Sequence, residues 1–150
     1  MSASAEQASA LLGHWSLVAW TGEVEGGEHV AHGGDDPRGD LIYLPSGRMT
    51  VQIQPAGRAR FGSRELDAGT ATERAIAYST YNAYCGTFTV PEPGVVVHHV
   101  ELALHPDQPG MDKRREFVLD GDELTLHTQP IAVDGSMATS ELHWRRRDDA

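Results

Sequence analysis

The chain has 150 residues, a formal net charge of −10 from 22 acidic against 12 basic side chains, and one cysteine, Cys85. A lone thiol excludes an internal disulfide and a cysteine-built zinc site. The acidic excess works against non-specific nucleic-acid binding, and no apolar run approaches the roughly 20 residues of a membrane span.

A chain of this length forms one domain that buries about 68–70% of its unfolded surface without a covalent or metal staple. Residues 1–10 are small and polar, without the basic start and apolar stretch of a secretion signal, which predicts a flexible leader on a soluble cytoplasmic protein. Residues 11–20 follow as a first strand. Trp15, Leu17 and Ala19 alternate there with His14, Ser16, Val18 and Trp20, and either set can face a core. Gly26-Gly27 turns into a weaker second strand, and residues 32–37 read as a loop. The clearest hairpin joins Leu41-Ile42-Tyr43-Leu44 to residues 49–54 through Pro45-Ser46-Gly47-Arg48. It sets Met49, Val51 and Ile53 on one face and Thr50, Gln52 and Gln54 on the other. Residues 55–69 lack a period and form a loop. Thr70-Ala71-Thr72-Glu73 has the spacing of a capping box, which predicts a helix ending near Ala83 with Ile76, Ala77, Thr80, Tyr81 and Tyr84 on a buried face.

Residues 84–90 return to strand character with Gly86 as a bulge. Pro91-Glu92-Pro93-Gly94 then turns into residues 95–104, the most β-branched stretch of the chain and its central strand. Alternation puts Val96, His98, Val100, Leu102 and Leu104 on one face and Val97, His99, Glu101 and Ala103 on the other. Beyond a loop at 105–110, residues 114–119 and 123–129 pair about Asp120-Gly121-Asp122, with Phe117 and Leu119 facing Leu124 and Leu126. A short edge at 131–133 and a closing strand at 137–145, with Leu142 and Trp144 on one face, complete an all-β chain of eight or nine strands and one helix. Closing such a sheet removes its sticky edges and leaves an interior wide enough for one small ligand. The barrel domain is expected over 11–146 and a tail over 147–150, with Arg145 to Arg147 and Asp148-Asp149 solvated.

Several stretches resemble bacterial lipocalin-like domains, in family order: Leu11-Leu12-Gly13-His14-Trp15, Gly39-Asp40-Leu41-Ile42-Tyr43 with Pro45-Ser46-Gly47-Arg48-Met49, Tyr84-Cys85-Gly86-Thr87-Phe88, Val97-His98-His99-Val100-Glu101, Leu119-Asp120-Gly121-Asp122-Glu123-Leu124-Thr125-Leu126 and Leu142-His143-Trp144. The resemblance implies a small antiparallel β-barrel around an apolar cavity. Some barrels of this general kind in bacterial specialised metabolism are cofactor-free cyclases of polyketide chains, so it also implies cyclase or isomerase chemistry in antibiotic biosynthesis as one reading. The chain departs from the usual pattern at His14, where a small or hydroxylated residue is common, and over residues 105–115, which are charged and Pro-rich where many members carry aromatic side chains.

His98 is the candidate catalytic residue, because an imidazole on an apolar wall can hydrogen-bond a carbonyl or move a proton near neutral pH. The alternative is a core histidine satisfied by neighbouring hydroxyls or carbonyls. His99 and Glu101 lie on the opposite face and inherit the role if the register is reversed. Residues expected around a ligand are Tyr43, Met49, Val51, Gln52, Ile53, Tyr81, Tyr84, Val100, Leu102, Arg115, Phe117, Leu126 and Trp144. For Tyr78, Tyr81 and Tyr84 packing competes with ligand contact, and for Gln52 and Arg115 an exposed ladder position does. Lys113 is the chain's one lysine, so Schiff-base chemistry would need it or the N-terminus. His29 and His32 with Asp35 and Asp36 share a loop that lacks the fixed framework of a zinc site, so no metal is expected. Cys85, with no base beside it, reads as a buried inert thiol.

The first functional expectation is a barrel that cyclises or rearranges an apolar, polyketide-like small molecule without a cofactor. The rival is a carrier of such a compound without turnover. A third reading fills the interior with Trp15, Met49, Phe117 and Trp144 and leaves an interaction module. Nucleic-acid and membrane partners are not expected, and the assembly is a monomer or homodimer.

Overall fold

A computed structural model of the chain describes residues 2–24, 28–31, 34–133 and 136–147. Its strands are β1 (Gly13–Val24), β2 (Glu28–Ala31), β3 (Arg38–Tyr43), β4 (Arg48–Gln54), β5 (Asn82–Glu92), β6 (Val95–Ala103), β7 (Asp112–Asp120), β8 (Glu123–His127), β9 (Ile131–Val133) and β10 (Ser136–Arg146), with helices α1 (Ala3–Leu11) and α2 (Ala71–Thr80). Neighbours in the order β1-β3-β4-β5-β6-β7-β8-β10 pair antiparallel, and β10 returns to pair with β1, so these eight strands close into the expected lipocalin-like barrel. Strands β2 and β9 extend it, pairing with β1 over Thr21 to Val24 and with β10 over Ser136 to Ala138. No described helix is long and apolar enough to cross a membrane.

The tight turn before β4 works as its sequence requires: Gly47 takes φ +88°, and Leu44 N–H donates to Arg48 at 2.8 Å. Strand β4 shows the clean alternation read from sequence, with Met49, Val51 and Ile53 buried. The Phe117–Leu126 and Leu119–Leu124 pairs across β7 and β8 are also as expected. The capping box is formed, with Glu73 N–H donating to Thr70 Oγ1 at 3.1 Å and Thr70 N–H to Glu73 Oε1 at 2.9 Å. The expected buried face of that helix is not formed. Ile76 is exposed and no residue of α2 is fully buried, because the chain leaves the helix at Thr80 and carries Tyr84 away on β5. Cys85 is half-buried rather than buried.

Residues 3–10, read as part of a leader, and Leu11, read as the start of the first strand, form a second helix. Ser2 caps its start by accepting from Ala5 N–H at 3.1 Å, and Leu11 at its end is fully buried. The far end of the chain holds it. Arg146, read as part of a solvated basic run, donates to the carbonyls of Leu12 at 2.6 Å and Ala10 at 2.7 Å while its guanidinium lies 4.2 Å over the Trp15 ring. The Trp15 indole N–H donates to Leu11 at 2.9 Å, and Gln7 accepts from Gly94 N–H at 2.7 Å. Helix α1 thus seals one end of the barrel over Trp15, Tyr43, Met49, Phe88, Val96, Phe117 and Leu124, all buried. Each such side chain contributes roughly 1.5–3 kcal/mol by leaving water.

Register shifts reset the alternation in β1 and β6. Val18 is the extra residue of β1, since Leu17 pairs with Trp144 and Ala19 with His143, and past it Trp20 turns toward the interior. Glu101 is the extra residue of β6, because Val100 pairs with Gly86 and Leu102 with Cys85. Val96, His98 and Val100 therefore face in as expected, but Leu102 swings out to 68% exposure and Ala103 takes the inner side. The bulge requires glycine opposite it: a Cβ on Gly86 would stand 1.8 Å from the His99 carbonyl oxygen and 3.1 Å from Glu101 N. Both are backbone atoms with no rotamer to yield. Gly86→Ala is therefore expected to destabilise the fold by about 3 kcal/mol or more, against about 1–2 kcal/mol for Gly47→Ala, where only the positive φ is at stake. Urea unfolding of both variants checks this, and equal midpoints would contradict the bulge contact.

Candidate ligand cavity

At the end away from α1 the barrel is hollow. A cavity of about 510 Å³ opens there, within the range usual for small-molecule sites. Its apolar walls come from Leu41, Val51, Ile53, Leu126, Leu142 and Trp144, all on inward positions of the closed strands, and from Trp20 beyond the β1 bulge. The C-terminal end of α2 with the start of β5, contributing Tyr78 to Asn82, and the β6–β7 loop with Leu104, His105, Gln108 and Met111, form the mouth. The cavity's polar side is made by Tyr84, His98, Lys113 and Arg115. Lys113 pairs directly across from His98, and Arg115 from Val96.

His98 is only 1% exposed and both its ring nitrogens are used: Tyr43 OH lies 2.7 Å from Nε2 and Tyr84 OH 2.7 Å from Nδ1. Burial, then the charges of Arg115, Lys113 and His99, lower its pKa to about 3, so the ring is neutral across the physiological range. A neutral ring donates from one nitrogen and accepts at the other, so one phenol gives it a proton and the other receives one. Burial raises the pKa of both phenols. At Tyr84 the Arg115 guanidinium opposes that shift by its charge and as a hydrogen-bond donor. Lys113 Nζ lies 4.2 Å over the Tyr84 ring and donates to Gln108 Oε1 at 2.9 Å; burial and then Arg115 lower its pKa to about 8. Trp144 Nε1 is buried without an acceptor among the described residues, a cost of about 1–3 kcal/mol carried in the wall.

Of the residues expected at a ligand, His98, Val51, Ile53, Tyr81, Tyr84, Arg115, Leu126 and Trp144 line this cavity. Tyr43, Met49, Val100 and Phe117 are buried but do not line it; Tyr43 reaches it only through His98. Gln52 and Leu102 do not line it either: Gln52 faces outward and accepts from the Tyr81 hydroxyl, and Leu102 is displaced by the β6 bulge. His99 and Glu101 are on the outside, paired with Asp112 and Arg48. Tyr78, Tyr81 and Tyr84 all reach the cavity. Lys113, Leu41, Leu142 and Trp20 were missed; for Lys113 the signal was there, since it shares the inward phase of Arg115 and Phe117. Of the loop histidines considered for metal, His32 and the His29 side chain lie outside the described residues. Among the described residues no group of three or more His, Cys, Asp or Glu side chains is placed to hold a metal ion.

Residues 12–147 match the family described as lipocalin-like domain. The chain is also similar to the 4'-hydroxy-3'-methoxypropiophenone carrier protein ppsC of Aspergillus oryzae, 33% identical over 106 residues that make up 65% of this chain and 96% of that protein. Among solved structures, the crystal structure of Rv2717c from M. tuberculosis aligns over 98% of this chain and 99% of that one, with a TM-score of 0.41 and 14% identity. The family match spans the whole barrel from the end of α1 to the last described residue, and on that ground the chain belongs to the lipocalin-like domain family.

Proposed function

We propose that the barrel binds one small, largely apolar molecule of polyketide type in the cavity beneath α2. The observation that carries this reading is the division of the interior: one end is packed solid under α1, while the other keeps about 510 Å³ behind apolar walls and a small polar side. That division speaks against the filled interaction module, whose four proposed plugs occupy the sealed end, Trp144 alone also reaching the cavity. The similar A. oryzae protein is named as a carrier of an aryl ketone that also bears a phenol, which supports a carrier role here.

A second reading, cyclisation or rearrangement without a cofactor, is favoured by the chain of groups from Arg115 through Tyr84 and His98 to Tyr43. Holding a flexible chain close to its reactive shape removes up to about 7–11 kcal/mol of barrier in favourable cases. Tyr84 is then the group that meets the substrate, donating to a carbonyl as enolate character develops. His98, closed off by two phenols, acts as a positioning residue behind it.

The test uses the neutral fluorophore N-phenyl-1-naphthylamine and an extract of the source cells. Stoichiometric binding of the fluorophore, weakened at least about tenfold by the cavity-filling Leu126→Trp, is the expected result; no binding, or binding indifferent to that change, would refute the cavity reading. A compound retained from the extract and recovered unchanged supports the carrier. An isobaric product that Tyr84→Phe no longer forms supports the cyclase.

The buried imidazole also sets a pH dependence. Its folded pKa of about 3 lies below the 6.5 of an unfolded histidine, so between those values the unfolded chain binds a proton that the folded chain refuses. This stability is complete above pH 6.5 and is lost as pH falls toward 3, at about 1.4 kcal/mol per pH unit. His98→Gln removes one bound proton from that slope. Urea unfolding between pH 6 and 4 should show a shallower decline for the variant than for the wild type, and parallel declines would mean that His98 titrates normally.

A further inference from the structure

From the placement of Lys113 and Arg115 we infer that the cavity takes its ligand as an anion, a carboxylate, enolate or acidic phenolate on an apolar body, with the charged oxygen against these two cations. The inference rests on the small-molecule reading above and names the ligand class that reading leaves open. Both residues are on the inward phase of β7 and line the cavity. Arg114, between them, points outward and pairs with Glu92. No carboxylate among the described residues lies within ion-pair distance of either inner cation: Lys113 has an amide oxygen at 2.9 Å and the face of Tyr84, and Arg115 has the Arg114 carbonyl at 3.3 Å and the Tyr84 phenol. Asp112, the one carboxylate among the lining residues, is held by His99 Nδ1 at 2.7 Å.

This arrangement is costly for the empty protein. Two like charges share a partly desolvated wall, and Arg115 depresses the pKa of both Lys113 and His98. In a chain of net charge −10, the pair stands without a carboxylate partner among the described residues, on the wall of the cavity. An anion entering there makes charge-assisted hydrogen bonds to a guanidinium and an ammonium and relieves their mutual repulsion. The apolar walls above them take the rest of the molecule, with the neutral His98 and Tyr84 beside the charged end.

Paired probes test this: 8-anilino-1-naphthalenesulfonate and N-phenyl-1-naphthylamine share a ring system and differ by the sulfonate. The wild type should bind the anionic probe at least about tenfold more tightly at low salt. Arg115→Met or Lys113→Met should collapse that ratio, Arg115→Lys should keep part of it, and Arg74→Met on exposed α2 should leave it unchanged, with folding checked by circular dichroism. Equal affinity of the wild type for both probes, a measurement needing no variant, would overturn the anion assignment while leaving cavity binding intact. Binding of neither would instead overturn the small-molecule reading. A preference for the anion that survives both methionine variants would place its binding elsewhere and also defeat the inference. Competition by dodecanoate and by 4-nitrophenolate separates an aliphatic carboxylate from an acidic phenol, and a probe displaced by neither counts against a natural anionic ligand.

Discussion

A neutral imidazole held between two phenols is the point on which the interior turns. His98 sits midway along β6, and its hydrogen bonds to Tyr43 and Tyr84, both 2.7 Å, let a polar ring stand where an unpaired one would cost several kcal/mol. On the Tyr43 side everything is packed, down to Trp15 and α1; on the Tyr84 side the wall opens into the cavity. The same three groups therefore end the solid core and begin the hollow. Arg115 extends the series into the cavity, and its charge acts on both the Tyr84 phenol and the buried ring.

The barrel was legible in the sequence wherever side chains alternate without interruption. Met49, Val51 and Ile53 on β4, Val96, His98 and Val100 on β6, and the Phe117–Leu126 pair fell on the inner face as the two-residue period dictates. What failed was phase across a bulge. An extra residue at Glu101 changes no composition and leaves no local mark on β6, yet it exchanges Leu102 for Ala103 on the inside. Gly86 on the opposite strand was the only trace, and it was read as the bulge itself, whereas the extra residue is carried by β6. The exchange at Val18, which brings Trp20 inward, was equally silent.

Helix α1 was missed for a different reason. Its residues are small and polar, with no apolar stripe to announce a helix, and its stability comes from partners more than eighty positions away: Gly94 N–H on Gln7 and the Arg146 guanidinium on Ala10 and Leu12. The same dependence on distant contacts limits reading of the site. His98 was found because an imidazole in a valine-rich row stands out. That both its nitrogens would be occupied required Tyr43, 55 positions earlier, to arrive opposite it. Lys113 was visible as a residue but was weighed for its nucleophilicity, when its position next to Arg115 makes its charge the more informative property.

The pairing of β1 with β10 joins Trp15 to Arg146 across nearly the whole sequence. On the ribosome the first strand therefore emerges long before its second neighbour is synthesised, and Trp15 must wait without the roof that later covers it. A sheet that grew hairpin by hairpin would keep an open seam, because the β1–β10 pairing can form only once translation has passed β10. Such late, long-range closure belongs to slow-folding topologies, and it makes the nascent edge of β1 the part of this protein that most needs shielding before synthesis is complete.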